Sequence, residues 1–158
     1  GDFDQASELL DAAGKVFTDQ QDPRGDAKVN LTKGELRLRK CLMKESIAYC
    51  EKGYEAAISC FSKDVQLDCS FCIGRASLQL GEFEVAEKYF SECAEIASEL
   101  GYRTQESIAI RSIGAVLHTK GDCTQALKKY KLAYSIAKEI GDRVNMGAAL
   151  KSMKNGSY

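Results

Sequence analysis

The 158 residues include 22 Lys and Arg against 23 Asp and Glu, a net charge of −1, with 44% hydrophobic and 28% charged residues. That balance excludes broad electrostatic binding to nucleic acid or to an anionic membrane surface, and the apolar content excludes low-complexity disorder. No apolar run reaches the roughly eighteen residues that a bilayer span requires. In chain order the first predicted element is a helix over 3–18. Its opening, GDFDQASELL, has neither the basic flank nor the apolar stretch of a secretion signal. A break follows from Asp19 to about Lys28, where Asp22-Pro23-Arg24-Gly25 signals a turn. Apolar spacing then predicts one long helix over 29–51, with Leu36, Met43, Ile47 and Cys50 along a stripe, and a short helix over 55–65. Helices over 68–80, 84–99, 103–119 and 124–139 come next, and 143–155 opens a last one. Eight helical segments and no strand result.

Self-comparison is more informative than any single element. Gly81-Glu-Phe83-Glu-Val-Ala86 leading to Phe90 is repeated forty residues later as Gly121-Asp-Cys123-Thr-Gln-Ala126 leading to Tyr130. Ile96-Ala97 with Gly101 and Arg103 returns as Ile136-Ala137 with Gly141 and Arg143, and Ile73-Gly74 returns as Ile113-Gly114. Gly1-Asp-Phe3-Asp-Gln-Ala6 with Leu10 and Ala13 is the same phrase again. Gly53-Tyr54-Glu-Ala-Ala57 followed by Phe61 reads as a poorer copy. Phe83, Ala86 and Phe90 share a helical face by their three- and four-residue spacing. Gly81 and Gly121 stand where one helical pattern ends, a position that favours the left-handed conformation. Gly74 and Gly114 lie inside helical patterns, where glycine costs about 1 kcal/mol relative to alanine. Its presence in both copies predicts a close approach of packed backbones.

On these residues the sequence resembles the tetratricopeptide repeat. Ile73-Gly74, Gly81, Phe83, Ala86, Phe90 and Cys93 fill the places of that family's phrase, and so do Ile113-Gly114, Gly121, Ala126, Tyr130 and Ala133. Cys123 and Cys93 depart from it by replacing an aromatic and an alanine. The family period is about 34 residues, so a forty-residue spacing lengthens each unit by roughly one and a half helical turns. In this respect, and in Glu139-Ile-Gly-Asp-Arg143, the sequence is similar to kinesin light chains and to G-protein-regulating polarity scaffolds. The resemblance implies an all-α, right-handed superhelix of antiparallel helix pairs. It also implies one repeat domain over 1–158, whose final helix either caps the stack or is truncated from a longer array. Its parts would be a second helix of a pair at 3–18, a divergent repeat at 29–65, repeats at 68–99 and 103–139, and a final first helix at 143–155.

No catalytic constellation is visible, and the expectation is a non-enzyme without cofactor or metal. His118 is the only histidine, and no family signature surrounds it that would make it part of a triad. Gly74 and Gly81 bracket no Gly-Lys-Ser/Thr phosphate loop. Cys69-Ser-Phe-Cys72 would serve redox chemistry at a strand-to-helix junction or zinc with a second ligand pair; neither is present, and buried structural thiols are the favoured reading. A redox or metal role is the competing one. Seven cysteines, an odd number, fit free thiols in a reducing, cytoplasmic or nuclear, compartment. Arg24-Gly25-Asp26 and the sequons at Asn30 and Asn155 carry meaning only in a secreted protein.

What remains is binding. The resemblance implies that first helices line a concave inner face. Superposing Gly74 on Gly114 aligns Phe71, Arg75 and Gln79 with Arg111, Ala115 and Thr119, and places His118 on the same stripe. Lys151 and Asn155 occupy the equivalent places on the last helix, with Tyr158 one turn on. Arginine forks capture carboxylates in bidentate fashion. The expected partner is therefore an acidic, partly apolar peptide or helix of another protein, held by an adaptor. The alternative is a structural arm of a larger assembly, or a module that associates with its own copies through uncapped ends.

Overall fold

A helix ends where one residue turns left-handed, and in this chain that happens every twenty residues. Gln21, Cys41, Phe61, Gly81, Gly101, Gly121 and Gly141 all have positive φ, between 53° and 90°. The computed structural model describes residues 1–155. Between these turns it holds eight helices: α1 (Asp2–Asp19), α2 (Pro23–Arg39), α3 (Met43–Ser59), α4 (Lys63–Leu80), α5 (Phe83–Glu99), α6 (Arg103–Thr119), α7 (Cys123–Glu139) and α8 (Arg143–Asn155). No strand occurs among the described residues, and the all-α expectation holds.

Six of these seven turns, all but the one at Gly81, share one hydrogen-bonded cap whatever residue occupies them. The N–H just beyond the left-handed residue donates to the carbonyl five residues back, as in Leu42 to Arg37 (2.9 Å), Ser62 to Ala57 (2.8 Å), Asp122 to Leu117 (2.9 Å) and Asp142 to Ala137 (2.8 Å). This bond satisfies a helix-end carbonyl that would otherwise be orphaned. Glycine enters the required conformation freely; an L-residue does so at a cost of roughly 1–2 kcal/mol.

Three sequence expectations are corrected here. The helix expected over 29–51 is divided at Lys40–Leu42, where Cys41 takes the left-handed conformation at φ 59°. The element expected over 55–65 is likewise divided by Phe61, at φ 55°, into the end of α3 and the start of α4. The break expected from Asp19 to Lys28 is only three residues long, Gln20–Asp22. Pro23 sits in the first turn of α2, where its missing N–H is harmless, and Asp22 Oδ1 accepts from the N–H groups of Arg24 (3.1 Å) and Gly25 (3.0 Å). The number of helices, eight among the described residues, equals the number of expected segments; what moves is their bounds in the first half.

The contacts divide the chain into two compact units, Gly1–Gly81 and the residues from Glu82 onward. In the first unit α1 packs on α2, α2 on α3 and α3 on α4, and α4 also touches α2. Its core holds branched and small side chains and, among the described residues, no buried ring: Val29, Leu31, Leu38, Val65, Leu67 and Ile73 beside alanines and the thiols of Cys50, Cys69 and Cys72. A Cβ on Gly34 would strike Cys50 Sγ and would lie 3.1 Å from the carbonyl oxygen of Ser46. Ser46 Oγ, fully buried, donates to the Gly34 carbonyl at 2.8 Å. A Cβ on Gly53 would lie 3.0 Å from the carbonyl oxygen of Ala27 and 3.1 Å from Cys69 Sγ. At the surface, Arg24 ties α2 to Asp64 of α4 at 3.0 Å.

In the second unit α5 packs on α6, α6 on α7 and α7 on α8, and α8 touches α6. Here the core holds rings and branched side chains: Phe90, Ile113, Val116, Tyr130 and Ile136 are all buried. The close approach expected at Gly114 is present, against a ring. A Cβ there would lie 2.6 Å from Tyr130 Cε1 and 3.3 Å from the carbonyl oxygen of Ala126. Buried Ser107 donates to the Ala133 carbonyl at 2.8 Å. Arg103 joins Glu106 (2.7 Å) and Glu139 (2.6 Å).

The structure also re-registers the poorer copy. Cys41 stands forty residues before Gly81, so Ser46 and Cys50 of α3 take the places of Ala86 and Phe90. Gly53 lies inside α3 and marks a helix contact, not a turn.

Candidate partner-binding surface

Residues three, four and seven apart on one helix project along one line. On α4 that line runs through Asp68, Phe71, Cys72, Arg75 and Gln79. It faces Glu35, Leu38 and Arg39 of α2 across a cavity of about 180 Å³ in the first unit. The expected binding residues Phe71, Arg75 and Gln79 are thus brought together. Leu38 is buried and Phe71 half-buried, giving the cavity an apolar floor, whereas the polar groups of Glu35, Arg39, Asp68, Arg75 and Gln79 stand around it. The rim carries two guanidinium groups and two carboxylates. Crowding by protein and then the nearby carboxylates of Glu35 and Asp64 hold the Asp68 carboxyl above its usual range.

Glu35, Arg39 and Asp68 are absent from the sequence expectation. The first two were hidden by the undivided 29–51 helix; the clue was Gly34, forty residues before Gly74. That offset pairs Glu35 with Arg75 and Arg39 with Gln79. Asp68 lies one turn before Phe71 on the same stripe.

The remaining expected residues belong to the second unit. Arg111 and His118 lie on α6, both half-buried, and Lys151 and Asn155 are exposed on α8, the helix that touches α6. Arg111 Nε is buried with no hydrogen-bond partner among the described residues. Its guanidinium lies near the Tyr130 hydroxyl, whose pKa burial pushes up and the cation draws back. Tyr158 lies outside the described residues.

The thiols sort by depth. Cys41 and Cys123 are exposed and Cys60 half-buried, while Cys50, Cys69, Cys72 and Cys93 are buried; all seven are free thiols. Burial pushes Cys69 up to about 12, which keeps it protonated and inert. Among the described residues no group of three His, Cys, Asp or Glu side chains is placed to hold a metal ion, and no helix is long and apolar enough to cross a membrane.

Residues 66–139 match the tetratricopeptide repeat family. No curated protein matches the sequence. Among solved structures, the chain resembles BtubC (BKLC) from P. vanneervenii with a TM-score of 0.77 at 18% identity, covering 99% of this chain and 73% of that one. It also resembles the nearly identical TPR-like repeats of a putative kinesin light chain from Podosopora anserina. A variant of those repeats with one residue substituted gives a TM-score of 0.75 at 10% identity over 96% of this chain and 77% of that one. A second structure of the repeats gives 0.66 at 10% identity over 96% and 87%. At such identities the likeness concerns the fold.

Proposed function

We propose, from the tetratricopeptide-repeat superfamily to which this chain belongs through residues 66–139, that it is an adaptor capturing an acidic, partly apolar peptide or helix of a partner protein. The superfamily consists of non-catalytic protein–protein interaction scaffolds. One observation supports the finer reading: the cavity between α2 and α4 is lined by Phe71 and Leu38 together with Arg39 and Arg75. An apolar side chain of the partner enters this cavity while its carboxylates meet the arginines. The carboxylates of Glu35 and Asp68 in the same rim make the site selective, because they repel an acidic group placed out of register. In the second unit Arg111, His118, Lys151 and Asn155 form a candidate contact surface of their own. Free thiols suit a reducing compartment, so the adaptor works in the cytoplasm or nucleus.

The test is a selection from a random peptide library followed by binding measurements. Enriched peptides place Asp or Glu beside large apolar residues. Reversing Arg75 and Arg111 together to Glu lowers their affinity at least tenfold while the helical circular dichroism stays constant. Unaltered binding by the double variant removes this reading. The other reading, association through the ends, is favoured by the exposed apolar side chains of Leu9 (71% exposed) on α1 and Val144 (81% exposed) on α8. A mass that rises with concentration in light scattering supports it, and a strict monomer removes self-association.

A further inference from the structure

Binding leaves one chemical feature of the first unit without a role. Helices α3 and α4 run antiparallel about the turn at Phe61, and Cys50 and Cys72 each lie eleven residues from that turn. They consequently stand opposite each other, and each thiol is the strongest influence on the ionisation of the other. Ser46 Oγ completes the arrangement 3.6 Å from Cys72 Sγ. The two thiols differ in access. Cys50 is wholly buried and has the Gly34 backbone against its sulfur. Cys72 is nearly as buried, yet it forms part of the wall of the α2–α4 cavity, which is open to solvent.

We propose that Cys50 and Cys72 are a peroxide-oxidisable dithiol, with Cys72 the attacked sulfur and Cys50 the resolving one. A hydroperoxide enters the cavity and the Cys72 thiolate attacks its terminal oxygen. An S–O bond forms, the O–O bond breaks, and the departing alkoxide takes up a proton as alcohol or water. The Cys50 sulfur then attacks the sulfenic sulfur. An S–S bond forms and the S–O bond breaks, and hydroxide leaves with the Cys50 proton as water. The two thiols lose two electrons in all and the hydroperoxide gains them. The product ties α3 to α4 covalently, and an added thiol reductant reverses it.

The ionisation of the pair agrees with this order. The proton that Cys50 offers it, with the Arg75 charge assisting, holds the Cys72 thiol below its ordinary pKa despite burial and the Glu35 carboxylate. The hydrogen bond to Cys72 and burial hold Cys50 far above its own, so Cys50 keeps the shared proton until the sulfenic acid forms. Cys69, kept protonated by burial, takes no part. The inference does not depend on partner binding.

The test uses reduced protein with Cys41, Cys60 and Cys123 changed to Ser, so that the more accessible thiols cannot mask the result. Exposure to hydrogen peroxide should remove the mass of two hydrogen atoms, and peptide mapping should place a bond between Cys50 and Cys72 that dithiothreitol opens. Adding Cys50→Ser should leave a sulfenic acid at Cys72 that dimedone labels, and adding Cys72→Ser should slow oxidation at least tenfold. Peptide mapping of peroxide-treated protein with all seven cysteines retained covers the case in which the variants fail to fold. The inference is overturned if Cys50 and Cys72 stay reduced while the protein remains folded. It is equally overturned if Cys72→Ser oxidises at the original rate.

Discussion

Helix pairs α2/α3 and α6/α7 occupy equivalent places in the repeat, eighty residues apart, and are packed by different side chains. Both keep a glycine in the first helix, Gly34 or Gly114. Against it the second pair sets the ring of Tyr130, whereas the first sets the thiol of Cys50. Where α6/α7 has buried Ala126, α2/α3 has Ser46, whose hydroxyl is spent on the Gly34 carbonyl. Where α6/α7 joins Ser107 to the Ala133 carbonyl, α2/α3 has Ala27 and Gly53, with the Gly53 Cα close to the Ala27 carbonyl. Even the turns differ: Cys41 and Phe61 flank α3, Gly121 and Gly141 flank α7, and the cap bond is the same. The repeat therefore conserves a spacing of helices and a hydrogen-bonded end, and many side chains can fill the space between. At the shared glycine the first pair packs by a thiol and backbone approach and the second by a ring.

The largest expected effect that tests this equivalence is at Ala126, which is 1% exposed. Ala126→Glu strands a charge in a tight contact and should cost about 3 kcal/mol or more, read from the urea midpoint. A negligible shift would mean that the alignment of the two pairs is out of register.

The glycines sharpen the comparison. Gly34→Ala and Gly114→Ala should each cost roughly 1–3 kcal/mol through overpacking, with Gly34→Ala the more costly. At Gly114 the nearest obstacle is the Tyr130 ring, whereas Gly34 also meets the Ser46 carbonyl at 3.1 Å and the Cys50 amide at 3.3 Å. Thermal melts of the two variants settle the order; equal costs would mean that ring and backbone contacts give way alike.

The smallest effect belongs to the turn at Phe61. The side chain is 92% exposed and its φ is +55°, so it gains nothing from packing in this structure. Phe61→Gly should stabilise the chain by about 0.5–1 kcal/mol, and a loss of stability would show that the ring has a contact that holds it.

How far the sequence could be read follows the same division. Where the left-handed positions are glycine, at 81, 101, 121 and 141, helix ends are legible because glycine is the residue such a position favours. At Gln21 the break is legible from Asp22-Pro23 instead. Where the position is Cys41 or Phe61, the favoured residue is absent and apolar spacing runs on through the turn. That is why α2 and α3 merged into one predicted helix. The stripe of Phe71, Arg75 and Gln79 was legible because Gly74 fixed the register of α4. Glu35 and Arg39 across the cavity were not, because α2 had lost its end. The opposition of Cys50 and Cys72 needs the turn at Phe61, and so only the structure supplies it.

The central claim is that a single forty-residue unit runs in register through both halves of the chain, with a turn every twenty residues irrespective of glycine. Backbone HN–Hα couplings and carbon shifts at Gln21, Cys41 and Phe61 measure it most directly. The account predicts a positive φ at all three, with helical shifts lost at Lys40–Leu42 and Cys60–Ser62. Unbroken helical values through 40–42 would contradict it.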